Sequence, residues 1–158
     1  FILCVDGIMR QPLLYLSLYF KTHRQAYYNH LQLVRETGDW EEWLQFFLKG
    51  VIETANQAVS TAQAILNLFT EDRKNIASIG KPSASTLMVH HYLQRHPTTD
   101  SKKIVENCHL SLPTAIKSLN HLTKLGIVTE ITGKARNKIY VYQKYLDILS
   151  EGTTPIQE

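Results

Sequence analysis

A chain of 158 residues with 44% hydrophobic residues can bury a real core, as one large domain or two small ones. The net charge of +3 is too mild to demand a polyanionic partner, but it is uneven. Residues 1–80 hold 7 Lys/Arg against 8 Asp/Glu (net −1), and residues 81–158 hold 10 against 6 (net +4). Any nucleic-acid partner is therefore expected at the C-terminal half. The two cysteines, Cys4 and Cys108, form no disulfide framework, and there is neither a signal-peptide pattern nor an apolar run of bilayer length. A cytoplasmic protein without a membrane partner is expected.

Phe1 to Val5 reads as the last turns of a buried helix closed at Asp6-Gly7, so the chain is expected to be a fragment that opens inside a helix. Pro12 starts a second helix, whose Leu13, Leu14, Leu16, Leu18 and Phe20 are dense enough for burial on most sides. Tyr27, Tyr28, Leu31 and Val34 continue at helical spacing as far as Thr37-Gly38. Asp39 is a good N-cap, and Glu41 and Glu42 suit the first turn of the next helix. From there the apolar period predicts one long helix from about residue 39 to about residue 70, with a bend near Gly50 and with Trp40 and Trp43 packed in the core. No catalytic constellation, glycine-rich phosphate loop or metal-ligand spacing is present. His23 and His30 read as surface or capping residues.

The run from Pro12 to Phe20, then His23-Arg24, Tyr27-Tyr28 and Leu31, resembles the C-terminal part of the Fic fold. So do Val34 to Glu41, with their Gly38-Asp39-Trp40 helix start, and the aromatic order Trp43, Phe46, Phe47 up to Gly50-Val51. The resemblance covers about residues 1–70. It implies a parent enzyme that uses ATP and Mg²⁺ to transfer AMP to a Ser, Thr or Tyr hydroxyl of a target protein. The catalytic loop of that family, H-x-F-x-(D/E)-G-N-G-R, is absent here. The resemblance therefore assigns no catalytic residue and no cofactor of its own to this chain. It leaves one wall of a nucleotide pocket, carried by Tyr27, Tyr28 and Leu31, where a phenol ring and a Leu can sandwich a purine.

The charged Glu71 to Asn75 ends the apolar pattern, and Gly80 to Ser83 is a turn cluster. A boundary near residues 76–82 divides the chain into a helical domain, 1–79, a second domain, 80–149, and a loose tail, 150–158. In the second domain a helix with Leu87, Met88, Tyr92 and Leu93 inside stops before His96-Pro97. Thr98 to Asp100 offers N-caps for a short helix over 101–107, and Cys108 is a small core residue in the turn after it. Neither His90-His91 with His96 nor Cys108-His109 reads as a metal site, because adjacent helical residues point about 100° apart.

Ser111, Pro113 and Gly126 bracket the next helix. Leu112, Ala115, Ile116, Leu119 and Leu122 are predicted to form its buried stripe, and Thr114, Lys117, Ser118, His121 and Lys124 its exposed, carboxylate-free face. Ile127 to Thr132 and Ile139 to Tyr142 then predict a β-hairpin around the basic turn that holds Lys134, Arg136 and Lys138, and a last helical turn spans Lys144 to Leu149. Residues 83–142 resemble a winged helix-turn-helix. That resemblance implies Thr114, Lys117, Ser118 and His121 at bases or backbone of double-stranded DNA, and Lys134, Arg136 and Lys138 at phosphates.

The fold class expected is mainly α, a helical Fic-fold remnant followed by a winged helix-turn-helix with a small β-hairpin. The leading function is the C-terminal portion of an AMP-transferase joined to a module for DNA or partner binding. The alternatives are a DNA-binding regulator whose helical half dimerises, or a protein–protein module that forms a homodimer. A bacterial source follows from resemblance alone.

Overall fold

A computed structural model of the chain describes residues 16–151. The helices expected over Phe1–Val5 and from Pro12 to residue 15, and most of the tail, lie outside these residues. The described chain is mainly helical, with a small three-stranded antiparallel sheet. It divides into two compact units, one taking the described residues up to Ala62 and the other Gln63–Ser150.

The first unit holds α1 (Leu16–Thr22), α2 (Arg24–Thr37) and the first part of the long α3 (Glu41–Ala77). Gly38 closes α2 in the left-handed conformation (φ +74°), and its N–H donates to Val34 O at 2.9 Å. Asp39 Oδ1 then accepts the Glu41 N–H at 2.8 Å and starts α3. Tyr19 and Phe46 form the buried centre, their rings 5.3 Å apart, with Phe20, Tyr27 and Trp43 around them. Trp40 departs from the expected core position. It lies just before α3, ahead of the aromatic cluster, and is exposed. Gly50 is needed where it stands, because a Cβ there would lie 2.6 Å from the Tyr19 ring.

Helix α3 does not end at residue 70. The charged stretch beyond it contains good helix formers and no breaker before Gly80 (φ +82°), and it turns Asp72 and Ile76 inward. The last turns of α3 therefore pack in the second unit, with α4 (Ser83–Leu93), β1 (Thr98–Asp100), α5 (Ser101–Cys108), α6 (Leu112–Lys124), β2 (Thr129–Glu130), β3 (Ile139–Val141) and α7 (Gln143–Ser150). Its core is built on Ile76, Val89, Leu93, Ile104, Leu119, Leu122 and Tyr142. In α4 the expected inner residue Met88 is exposed, and Thr86 and His90 are buried instead.

The hairpin is shorter than expected. Ile127 and Val128 belong to the close of α6, where both N–H groups donate to Leu122 O and Gly126 takes φ +67°. A third strand joins it. Residues 98–100 do cap a helix, since the Asp100 carboxylate accepts the N–H groups of Lys102 and Lys103, but they also pair antiparallel with Ile139–Val141. The sheet order is β1-β3-β2, with β3 in the middle.

Candidate functional site

Helix α6 is held by its caps and by a narrow buried stripe. The Ser111 hydroxyl accepts the Thr114 N–H, and Pro113 stands in the first turn. At 100° per residue, the buried Ala115, Ser118, Leu119 and Leu122 fall on one side. Two of these four are small, which lets α4 approach closely. Ser118 is therefore no part of the exposed face expected of it: it is buried, and its hydroxyl donates to Ser85 Oγ at 3.1 Å. The converse holds for Leu112 and Ile116, placed by their chemistry in the buried stripe but exposed in the fold.

Directly opposite the buried stripe lie Pro113, Lys117, Asn120 and Lys124, all exposed. Thr114 and His121 flank them on one side and Ile116 and Leu112 on the other. His121 Nδ1 is buried without a hydrogen-bond partner, so this ring cannot offer both nitrogens to a ligand. Sequence reasoning misses Asn120. The spacing 113, 117, 120, 124 carries it, and its amide is a donor–acceptor pair of the kind that reads adenine edges.

The loop between β2 and β3 carries Lys134, Arg136 and Lys138, all exposed. Its base is organised by Glu130, whose Oε1 accepts the N–H groups of Thr132 (2.7 Å) and Gly133 (3.0 Å) and the Thr132 hydroxyl. The Thr132 hydroxyl, then these N–H groups and the Lys138 charge, hold the Glu130 carboxyl below its usual range. Gly133 and Asn137 take positive φ, of 60° and 53°, which suits Gly and Asn. From Asn107 to Leu146 the only carboxylate is Glu130, turned into this loop base, against Lys117, Lys124, Lys134, Arg136, Lys138 and Lys144. Helix face and loop are thus cationic and almost free of acidic groups.

In the first unit, Tyr28 and Leu31 line one cleft, and the Tyr27 ring meets Tyr28 edge to face at 5.4 Å without lining that cleft. The Tyr27 ring belongs to the aromatic cluster, 5.2 Å from Phe20 and 5.4 Å from Trp43. Tyr28 and Leu31 line a cleft of about 750 Å³ with Val34, Arg35 and Trp40. The two exposed rings, Tyr28 and Trp40, could stack a planar ligand. No family model matches the chain. Among the described residues no group of three or more His, Cys, Asp or Glu side chains is placed to share a metal ion, and no helix is long and apolar enough to cross a membrane.

Proposed function

We propose that residues 83–150 are a winged helix-turn-helix module that binds double-stranded DNA, with α6 in the major groove and the 131–138 loop on phosphates. The observation that carries this reading is the outward face of α6, Lys117-Asn120-Lys124, with the basic, acid-free loop in the same module. The element order α4-β1-α5-α6-β2-β3 and the strand order β1-β3-β2 support it, since they suit a helix offered to a groove beside a projecting loop. Lys117 and Lys124 supply charge for phosphates, and Asn120 a base-reading amide. A duplex-retardation titration tests it. Binding should weaken steeply with salt, and Lys117→Glu should cost at least about tenfold, since it loses one phosphate contact and adds a repulsive charge. Absence of any duplex binding at low salt overturns the proposal. A protein partner would then be the better reading, favoured by exposed Leu112 and Ile116 on the same helix.

For the first unit we propose the C-terminal supporting part of a Fic-type AMP-transferase. The reading rests on the aromatic order and the Gly38-Asp39-Trp40 helix start. ATP and Mg²⁺ belong to the parent enzyme, whose catalytic loop should be encoded shortly before Phe1. An upstream sequence without that loop would overturn it. The Tyr28–Leu31 cleft is the remaining candidate for the purine, with Tyr27 behind it as packing.

A further inference from the structure

Helix α3 has two sides of different character within the first unit. Phe46, Gly50 and Thr54 are buried along one side. On the side directly opposite, Leu44, Leu48, Ile52 and Val59 are 52, 56, 61 and 70% exposed. Leu48, Ile52, Ala55, Val59 and Ala62 recur in alternating steps of four and three, the repeat of a coiled-coil seam. Solvated helices normally cover such a side with charge. Here there is no Asp, Glu, Lys or Arg anywhere from Thr54 to Thr70.

We infer that this side of α3 is the contact surface for a second copy of the same chain. The chemistry selects that occupant. An uncharged seam flanked by Asn56 and Gln63 offers nothing to a charged partner and sets up no repulsion between identical copies. Ile52 and Val59 take one seam position of successive heptads, where β-branched residues favour two strands. Ala55 and Ala62 take the other and let the helix axes approach. The Lys49 ammonium at the seam edge lies 3.9 Å from Glu53 of its own helix, so it needs no partner across the contact. Four exposed aliphatic side chains offer roughly 100 Å² each, and the alanines and flanking amides bring a pair of copies to about 1,000 Å², the lower bound for a specific interface. The inference is independent of the DNA-binding reading; under the AMP-transferase reading the upstream body of that enzyme is the rival occupant of this side, and a monomeric mass is the outcome that favours it.

Sedimentation equilibrium of the full chain up to about 100 µM tests it, a concentration at which any interface tighter than that is mostly formed. The expected mass is twice the 18.1 kDa of the chain. Val59→Ala should raise the dissociation constant by about tenfold, as methyl groups are lost from both copies. Ile52→Asp should give monomer with its far-UV circular dichroism unchanged, and Ser60→Asp, away from the seam, should leave the dimer intact. A mass of 18.1 kDa throughout the range overturns the inference and assigns the seam to another occupant. A dimer indifferent to both Val59→Ala and Ile52→Asp overturns it as well.

Discussion

Three buried polar side chains meet in the second unit: Asp72 from α3, His90 from α4 and Tyr142 at the end of the sheet. The Tyr142 hydroxyl donates to Asp72, and His90 Nε2 lies 3.4 Å from that hydroxyl and 3.8 Å from the carboxylate. Gln94 Nε2 lies 3.4 Å from His90 Nδ1, so both ring nitrogens have a polar neighbour. Tyr142→Phe should destabilise by about 1–3 kcal/mol in denaturant titration, because it leaves a buried carboxylate short of a donor. Burial first, and then the bond to Asp72, push the Tyr142 hydroxyl above the usual tyrosine range. The protonated phenol is thus the form that folding favours. Its contribution is whole below the unfolded value of about 10 and is lost as pH rises beyond it. The denaturation midpoint should fall above about pH 10 in the natural chain and fall less in Tyr142→Phe. Elsewhere, Gly50→Ala should cost about 1–3 kcal/mol by forcing the Tyr19 ring aside. A thermal melt no lower than that of the natural chain would refute that estimate.

Helices announced themselves in the sequence through their ends. Gly38-Asp39, Asp100, Ser111 and Gly126 all cap as their chemistry requires. Asp100→Ala should therefore lower stability by about 1 kcal/mol, read as a shift in urea midpoint, since two N–H groups at the start of α5 lose their acceptor. What sequence alone could not supply was rotation about the helix axis. In α6 the apolar inventory put Leu112 and Ile116 inside and Ser118 outside. Packing against α4 favoured small residues, and Ser85 gave Ser118 a partner. The true outward face, with Asn120 in it, follows from that. β1 was illegible for another reason: three residues make no period, and its only partner lies some 40 residues downstream.

For the molecule as a whole, the mainly helical class with a small sheet was readable from the change of period after Gly126. The division of the chain was less so. The apolar pattern stops at Glu71–Asn75 and the boundary reads as near residues 76–82, yet the helix runs on to Ala77 and the two compact units divide at Ala62–Gln63. Only burial of Asp72 and Ile76 among distant residues distinguishes a linker from a packed helix end. If the basic loop rides on phosphates, Lys134, Arg136 and Lys138 replaced together by Ala should reduce the slope of log binding constant against log salt by about 2.7. A slope unchanged by the triple substitution would remove the loop from the interface.

The strand order has one more implication, for the making of the chain. Among the described residues β3 is the last strand to leave the ribosome and the one that both neighbours pair with. β1 and β2, though synthesised earlier, have nothing to bond to until Ile139–Val141 arrives. Tyr142, the next residue out, completes the contact with Asp72 and His90. A nascent chain halted before residue 139 would hold its helices only as far as α6 and none of its sheet, and would leave the Asp72 carboxylate and the His90 imidazole without the hydroxyl that joins them. The second unit should thus pass from protease-sensitive to protease-resistant over the few residues after 138, late and in one step.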